Sequence, residues 1–183
     1  KYVDKRESYI KMFKGDVGRF NAMVKRITDI GLEDDVNIAF KYEGDIGTTI
    51  NCSQLIMWAE TYGLQQHYDL KEAIMSAYHE QAKNIALPEV MLDCVRQVDG
   101  LKEHVEEAEM VLQTDAFKKA VADQIIDAQQ KLNVNGVPHF FITAVNGDVA
   151  RSFNFPGAQD TRFFTNALSK LNAIVHETDA SKL

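Results

Sequence analysis

NVNGVPHFFITAVNGDVARSFNFPGAQDTRFF, residues 133–164, decides how this chain is read. Pro138 stands at the mouth of a short apolar run, residues 139–143, with the composition of a buried strand. Asn146-Gly147-Asp148 then supplies turn chemistry, because Asn and Gly tolerate the positive φ that a tight hairpin needs. Residues 149–155 return antiparallel, Pro156-Gly157 breaks them, and an amphipathic helix starts at Asp160. A proline at a strand entrance after a helix is a place where an X-Pro bond can be cis.

Upstream, the pattern is mostly helical. Tyr9, Ile10 and Phe13 share one face of a helix that Gly15 stops, and Asp16 caps the next, whose stripe is Val17, Phe20, Met23, Val24 and Ile27. Val36, Ile38, Phe40 and Tyr42 alternate with Asn37, Ala39 and Lys41, which predicts a half-buried strand. Asn51 is the expected cap of a helix ending at Gly63, Asp69 the opening of another, and Pro88 the first turn of a third that Gly100 ends. Two more helices are expected over 102–113 and 115–132, separated near Thr114-Asp115. After the hairpin, Phe163, Phe164, Ala167, Leu168, Leu171 and Val175 form the core face of the last helix, and 176–183 reads as a frayed tail.

Composition narrows the function classes. A 183-residue chain with 45% hydrophobic residues and three Pro is globular. A net charge of −7 disfavours nucleic acid and anionic membrane surfaces, and no apolar run is long enough for a membrane span. Cys52 and Cys94 are too few for a disulfide scaffold and lack ligand neighbours at metal-site spacing. That points to a reducing, intracellular compartment, the cytoplasm first. An organelle stays open because the chain begins at Lys1, without an initiator Met or a visible address.

GVPHFFI, a hairpin, GAQ and a terminal helix together resemble the cis-proline half of the DsbA-like thioredoxin-fold proteins. The FrnE-like branch is the nearest match, with kappa-class glutathione transferases and 2-hydroxychromene-2-carboxylate isomerases as its relatives. An Asn at the mouth of the helix that carries Trp58-Ala59 extends the resemblance to the helical insertion of that branch. The implied fold class is α/β: one DsbA-like thioredoxin domain over 1–183, with a large helical insertion at 48–132. The cis-proline loop, hairpin and terminal helix of the core then occupy 133–176. The family's opening strand, motif-bearing helix and second strand have no counterpart in these residues. Phe140, Phe141 and Ile142 in a row suggest a strand buried on both faces, so a further segment or a partner chain completing the sheet is expected.

The resemblance implies a thiol–disulfide oxidoreductase whose Cys-x-x-Cys segment is not in this sequence, so no catalytic residue is named. It places Val137 and Pro138 against substrate, a protein thiol or disulfide or glutathione, with Asn51 and Gln159 of GAQ at the cleft rim. By physics alone Asn51 is a helix cap and 156–157 a strand stop. No cofactor and no metal site is expected. Cys52 lies near a helix start that could activate a thiol, but a buried structural role outweighs this, and more so for Cys94 among Val90, Met91, Val95 and Val98. His139, beside the proline, is weighed as a proton shuttle against a solvent-facing strand residue. Glu103, Glu106, Glu107 and Glu109 read as a solvated helix face. Two other function classes remain: a non-catalytic binding subunit of a larger assembly, and a glutathione-dependent transferase or isomerase.

Overall fold

A computed structural model describes residues 2–33, 35–146 and 149–180. Two compact units emerge, residues 1–123 and 124–183, with the boundary inside a helix.

The first unit is helical. Asp4 caps α1 (Lys5–Met12) by accepting from the Glu7 N–H at 2.7 Å, and Asp16 caps α2 (Val17–Gly31) by accepting from Arg19 at 2.9 Å. Val3–Asp4 (β1) pairs antiparallel with Asp45–Ile46 (β2) in a two-residue ladder. Helices α3 (Ile50–Glu60), α4 (Leu64–His79), α5 (Pro88–Arg96) and α6 (Val105–Thr114) enclose Leu55, Trp58, Leu70, Ile74, Met91, Val95, Leu101 and Ala108. Pro88 occupies the first turn of α5, where a missing N–H is harmless. Asp115, in the left-handed region, ends α6 and separates it from α7 (Lys118–Gln130).

Several expectations change here. Residues 36–42 keep their alternating burial but form no strand among the described residues. Asn37 takes φ +49°, and the segment is pinned by single bonds instead of a ladder: Ile38 N–H to Gly31 O and Lys41 N–H to His79 O, both at 2.6 Å. A side chain at Gly31 would run into the Ile38 carbonyl and the Phe40 ring, so the close approach requires glycine. Asn51 is not a cap. α3 begins one residue earlier, with Thr49 before it, and Asn51 Oδ1 accepts from Gln54 Nε2 at 3.3 Å. Asp69 opens nothing, because α4 starts at Leu64 after Gly63 and runs through it.

In the second unit, β3 (His139–Asn146) and β4 (Val149–Pro156) form an antiparallel hairpin in register from His139↔Pro156 to Asn146↔Val149. Both strands outrun their expected ends. Gly147 and Asp148 of the expected turn lie outside the described residues. Helix α8 (Thr161–Ala180) is capped by Asp160, which accepts from the Phe163 N–H at 2.9 Å. It continues through residues expected to fray; 181–183 and the Val175 side chain lie outside the description. Phe140, Phe155, Phe163 and Phe164 interlock on the helix-facing side, above buried Ala167 and Leu171, whereas Leu168 is exposed.

The expected two-sided burial of β3 is not found. Phe141 is 48% exposed and Val145 68%, both on the face turned away from α8. β3 and β4 make a sheet of two strands only, so the outer edge of β3 has no strand partner among the described residues.

Candidate functional site

The α7–β3 loop is shaped by its own bonds. Asn133 adopts φ +54°, Asn135 Nδ2 donates to the Asn133 carbonyl and side chain, and the Val134 N–H donates to Ala128 O at 2.8 Å. The loop delivers the chain to a cis Val137–Pro138 peptide, the geometry anticipated from the sequence. Val137 is 89% exposed, and neither its N–H nor its C=O has a hydrogen-bond partner among the described residues.

Pro138 O accepts from the Gly157 N–H at 2.8 Å, which ties the loop to the turn after β4. Gly157 sits at φ +81°, a conformation that favours glycine. The Gln159 side chain folds back, Nε2 donating to Pro156 O at 3.3 Å. Val137, Pro138 and Gln159 therefore gather at one end of the hairpin. Asn51 belongs to the first unit, where its partner is Gln54.

Because Pro138 turns its carbonyl toward β4, the alternation of strand backbone directs the amides of His139, Phe141, Thr143 and Val145 to the open edge. Pro156, which has no N–H, sits opposite His139 at a position that needs none. The His139 ring stacks on Phe141 with centroids 4.8 Å apart, and Nε2 meets Asn154 Oδ1 at 3.3 Å. Its Nδ1 is buried without a partner. The residue is thus half-buried rather than solvent-facing.

Neither cysteine is a candidate nucleophile. Cys52 is buried, donates its S–H to Ile85 O at 3.2 Å and lies 3.6 Å from Met91 Sδ; burial pushes its thiol up to about 11. Burial also raises the Cys94 thiol. Thiolate chemistry needs the opposite shift. The described residues contain no cluster of His, Cys, Asp and Glu able to hold a metal, and no helix long and apolar enough to cross a membrane.

Sequence reading missed two polar networks in the first unit. Glu107, expected on a solvated face, accepts from Trp58 Nε1 at 2.9 Å and Tyr62 OH at 2.6 Å, while His104 lies on the Tyr62 ring. Desolvation and that hydrogen bond push the Tyr62 phenol up to about 12, and the two donors hold the Glu107 carboxyl below its usual range. Lys5 is almost wholly buried: Nζ donates to Lys41 O at 2.8 Å and Tyr78 O at 2.9 Å, 3.8 Å from the Tyr78 ring centroid. Burial lowers its pKa. A terminal Lys and a run of Glu carry no local signal of such partners.

Set beside known proteins, the chain finds no match among curated proteins and none among solved structures. A family model does match it: that of the DSBA-like thioredoxin domain, over residues 5–169. With a cis-proline loop, a β-hairpin and a terminal helix preceded by a helical block, the chain belongs to the DsbA-like thioredoxin-domain family.

Proposed function

We propose that this chain is the substrate-orienting part of a thiol–disulfide oxidoreductase of the FrnE-like branch, reading 1–183 as one domain with 48–132 inserted. The observation that carries it is the Val137 backbone, exposed and unpaired beside Pro138 where the open edge of β3 begins. An extended substrate, a protein thiol or disulfide, pairs there, with Gln159 nearby. Glutathione is a smaller ligand of the same chemistry. In the exchange, a thiolate attacks one substrate sulfur and the other sulfur leaves as a thiolate; a second cysteine thiolate then attacks the attacking cysteine's sulfur in the mixed disulfide, forming the enzyme disulfide and releasing the first substrate sulfur as a thiolate. Cys52 and Cys94 do not serve, being buried with raised thiol pKa values. The attacking sulfur belongs to another segment, on the same polypeptide or a partner, seated against the loop. Asn51 enters this reading through the family resemblance alone; in the first unit its side chain engages Gln54.

The sheet supports a missing neighbour. β4 reads as a natural edge, with Arg151, Ser152, Asn154 and Pro156, whereas β3 is the apolar strand of a sheet interior. A strand beside β3 completes the sheet. Free thiols at both cysteines suit the reducing, cytoplasmic setting we infer.

The test is disulfide exchange by the intact natural polypeptide, with insulin and oxidised glutathione as substrates. Exchange that persists in a folded Cys52→Ala, Cys94→Ala variant supports the reading, because the sulfur then lies elsewhere. No exchange overturns it. The buried, inert thiols favour one second reading, a non-catalytic binding subunit, which such a result would leave standing.

A further inference from the structure

A cavity of ≈ 440 Å³ opens between β4 and α8, with an apolar lining of Phe153, Phe163, Ala167, Leu171 and Ile174. The four helical residues recur every three or four positions and so share one face of α8, while Phe153 closes the space from the strand. Phe153 and Phe163 both lean on the Phe155 ring, with centroids 6.0 and 4.6 Å from it, which holds the two lining rings in place. Asn166 and Lys170, one turn apart and both exposed, are the polar residues of the rim. Val137, Pro138 and Gln159 take no part in it, so the cavity stands apart from the substrate edge proposed above.

Lys170 selects the occupant. Lys25, Lys102, Lys118, Lys119 and Lys131 each meet an Asp three or four residues away, at 2.8 Å or less. Lys170 has Asn166 and Ile174 four residues away, and Ala167 and Ala173 three away. Its ammonium makes no hydrogen bond or ion pair among the described residues, and neither does the Asn166 side chain. An unpaired cation and an amide donor beside a hydrocarbon surface match an anionic head joined to an apolar body. From Lys170 back to Phe163 the helix runs about 10 Å, room for an extended hydrocarbon chain. We propose that this cavity binds a monocarboxylate with an unbranched hydrocarbon body. The carboxylate accepts from Lys170 and Asn166, and the chain lies along Phe153, Phe163 and Ala167. Because Lys170 is exposed, the head stays in contact with water and no ion is buried.

The probes are decanoate, decanol and decylamine, each titrated by calorimetry into the intact natural polypeptide below its aggregating concentration. Decanoate should bind about tenfold tighter than decanol, the scale of a hydrogen bond to a charged partner, and decylamine weakest of the three. Lys170→Met keeps the stem without the charge and should bring decanoate and decanol together, whereas Lys170→Arg should keep the preference. Ile174→Glu, at a half-exposed position that accepts charge, should abolish decanoate binding with an unchanged circular dichroism spectrum.

No binding of decanoate overturns the site, and is the result if another segment or a second copy of the chain covers the cavity. Equal affinity for decanoate and decanol leaves an apolar face without a carboxylate site, and overturns it too. So does a decanoate preference that survives Lys170→Met, or decanoate binding that survives Ile174→Glu, because the ligand then sits elsewhere.

Discussion

The helical unit and the hairpin unit solve the burial problem differently. In the first, Leu55, Leu70, Met91, Val95 and Leu101 lose essentially all contact with solvent, and even Lys5 and Gln54 are enclosed with their polar atoms bonded. In the second, Phe155, Ala167 and Leu171 are buried, while β3 turns Phe141, Val145 and a row of free amides outward. The first unit encloses a core of its own. The second carries the sequence of a sheet interior without the sheet. The binding role proposed above falls where burial is left incomplete, because unpaired backbone and uncovered apolar surface hold the interaction energy that a partner can use.

Trp58→Ala is the hardest blow to the closed unit. The indole is fully buried and also bonds Glu107, so the variant should lose about 3–5 kcal/mol in urea unfolding followed by far-UV circular dichroism. A loss under 1 kcal/mol would mean that the helical core is not the closed half. Lys5→Met comes next. The stem keeps its volume, but the carbonyls of Lys41 and Tyr78 lose their donor, at a cost of about 1–3 kcal/mol in the same measurement. An unchanged midpoint would show that water replaces the ammonium and that residues 38–42 need no anchor.

Much of this contrast is legible in the residues. The proline entrance, the two alternating runs and the break at 156–157 announce the hairpin because strand and turn signals are local. The cis proline and the family followed from a motif. What stayed hidden was non-local. Residues 36–42 alternate as a strand does, yet a strand also needs a neighbour, and here the backbone is held by α2 and by His79. Asn51 has the chemistry of a cap, but α3 starts at Ile50, and Gln54 takes its side chain. Val137, Pro138 and Gln159 come together at one end of the hairpin because its two strands lie close in sequence. The partners of Glu107 lie 45 and 49 positions away, which no periodicity reports.

Glu107→Gln tests whether the charge matters to the closed unit. The amide keeps the shape but has one acceptor oxygen where two are used, so Trp58 keeps a neutral acceptor while the Tyr62 hydroxyl must turn to accept from the new NH2, and about 1 kcal/mol is expected. Acid gives the sign independently. Because the folded carboxyl titrates below the ordinary Glu range near 4.5, its contribution is fully present above that range and is lost as pH falls through the folded value. The unmodified protein should therefore lose stability more steeply than Glu107→Gln below about pH 4.5. Parallel acid limbs would remove Glu107 from the account.

Phe141→Ser should have the smallest effect on the chain itself and says most about the open unit. The ring is half-exposed, touching the His139 imidazole across the outer face, so its removal should cost about 1 kcal/mol or less in urea unfolding. The same variant should clearly reduce binding of the dye ANS, because an uncovered aromatic on a strand edge is the surface such a dye reports. Small loss with large dye effect is the signature of a surface waiting for cover. A loss of 3 kcal/mol or more would instead mean that the outer face of β3 is already packed in solution, and the distinction between a closed and an open unit would fail at the strand it depends on.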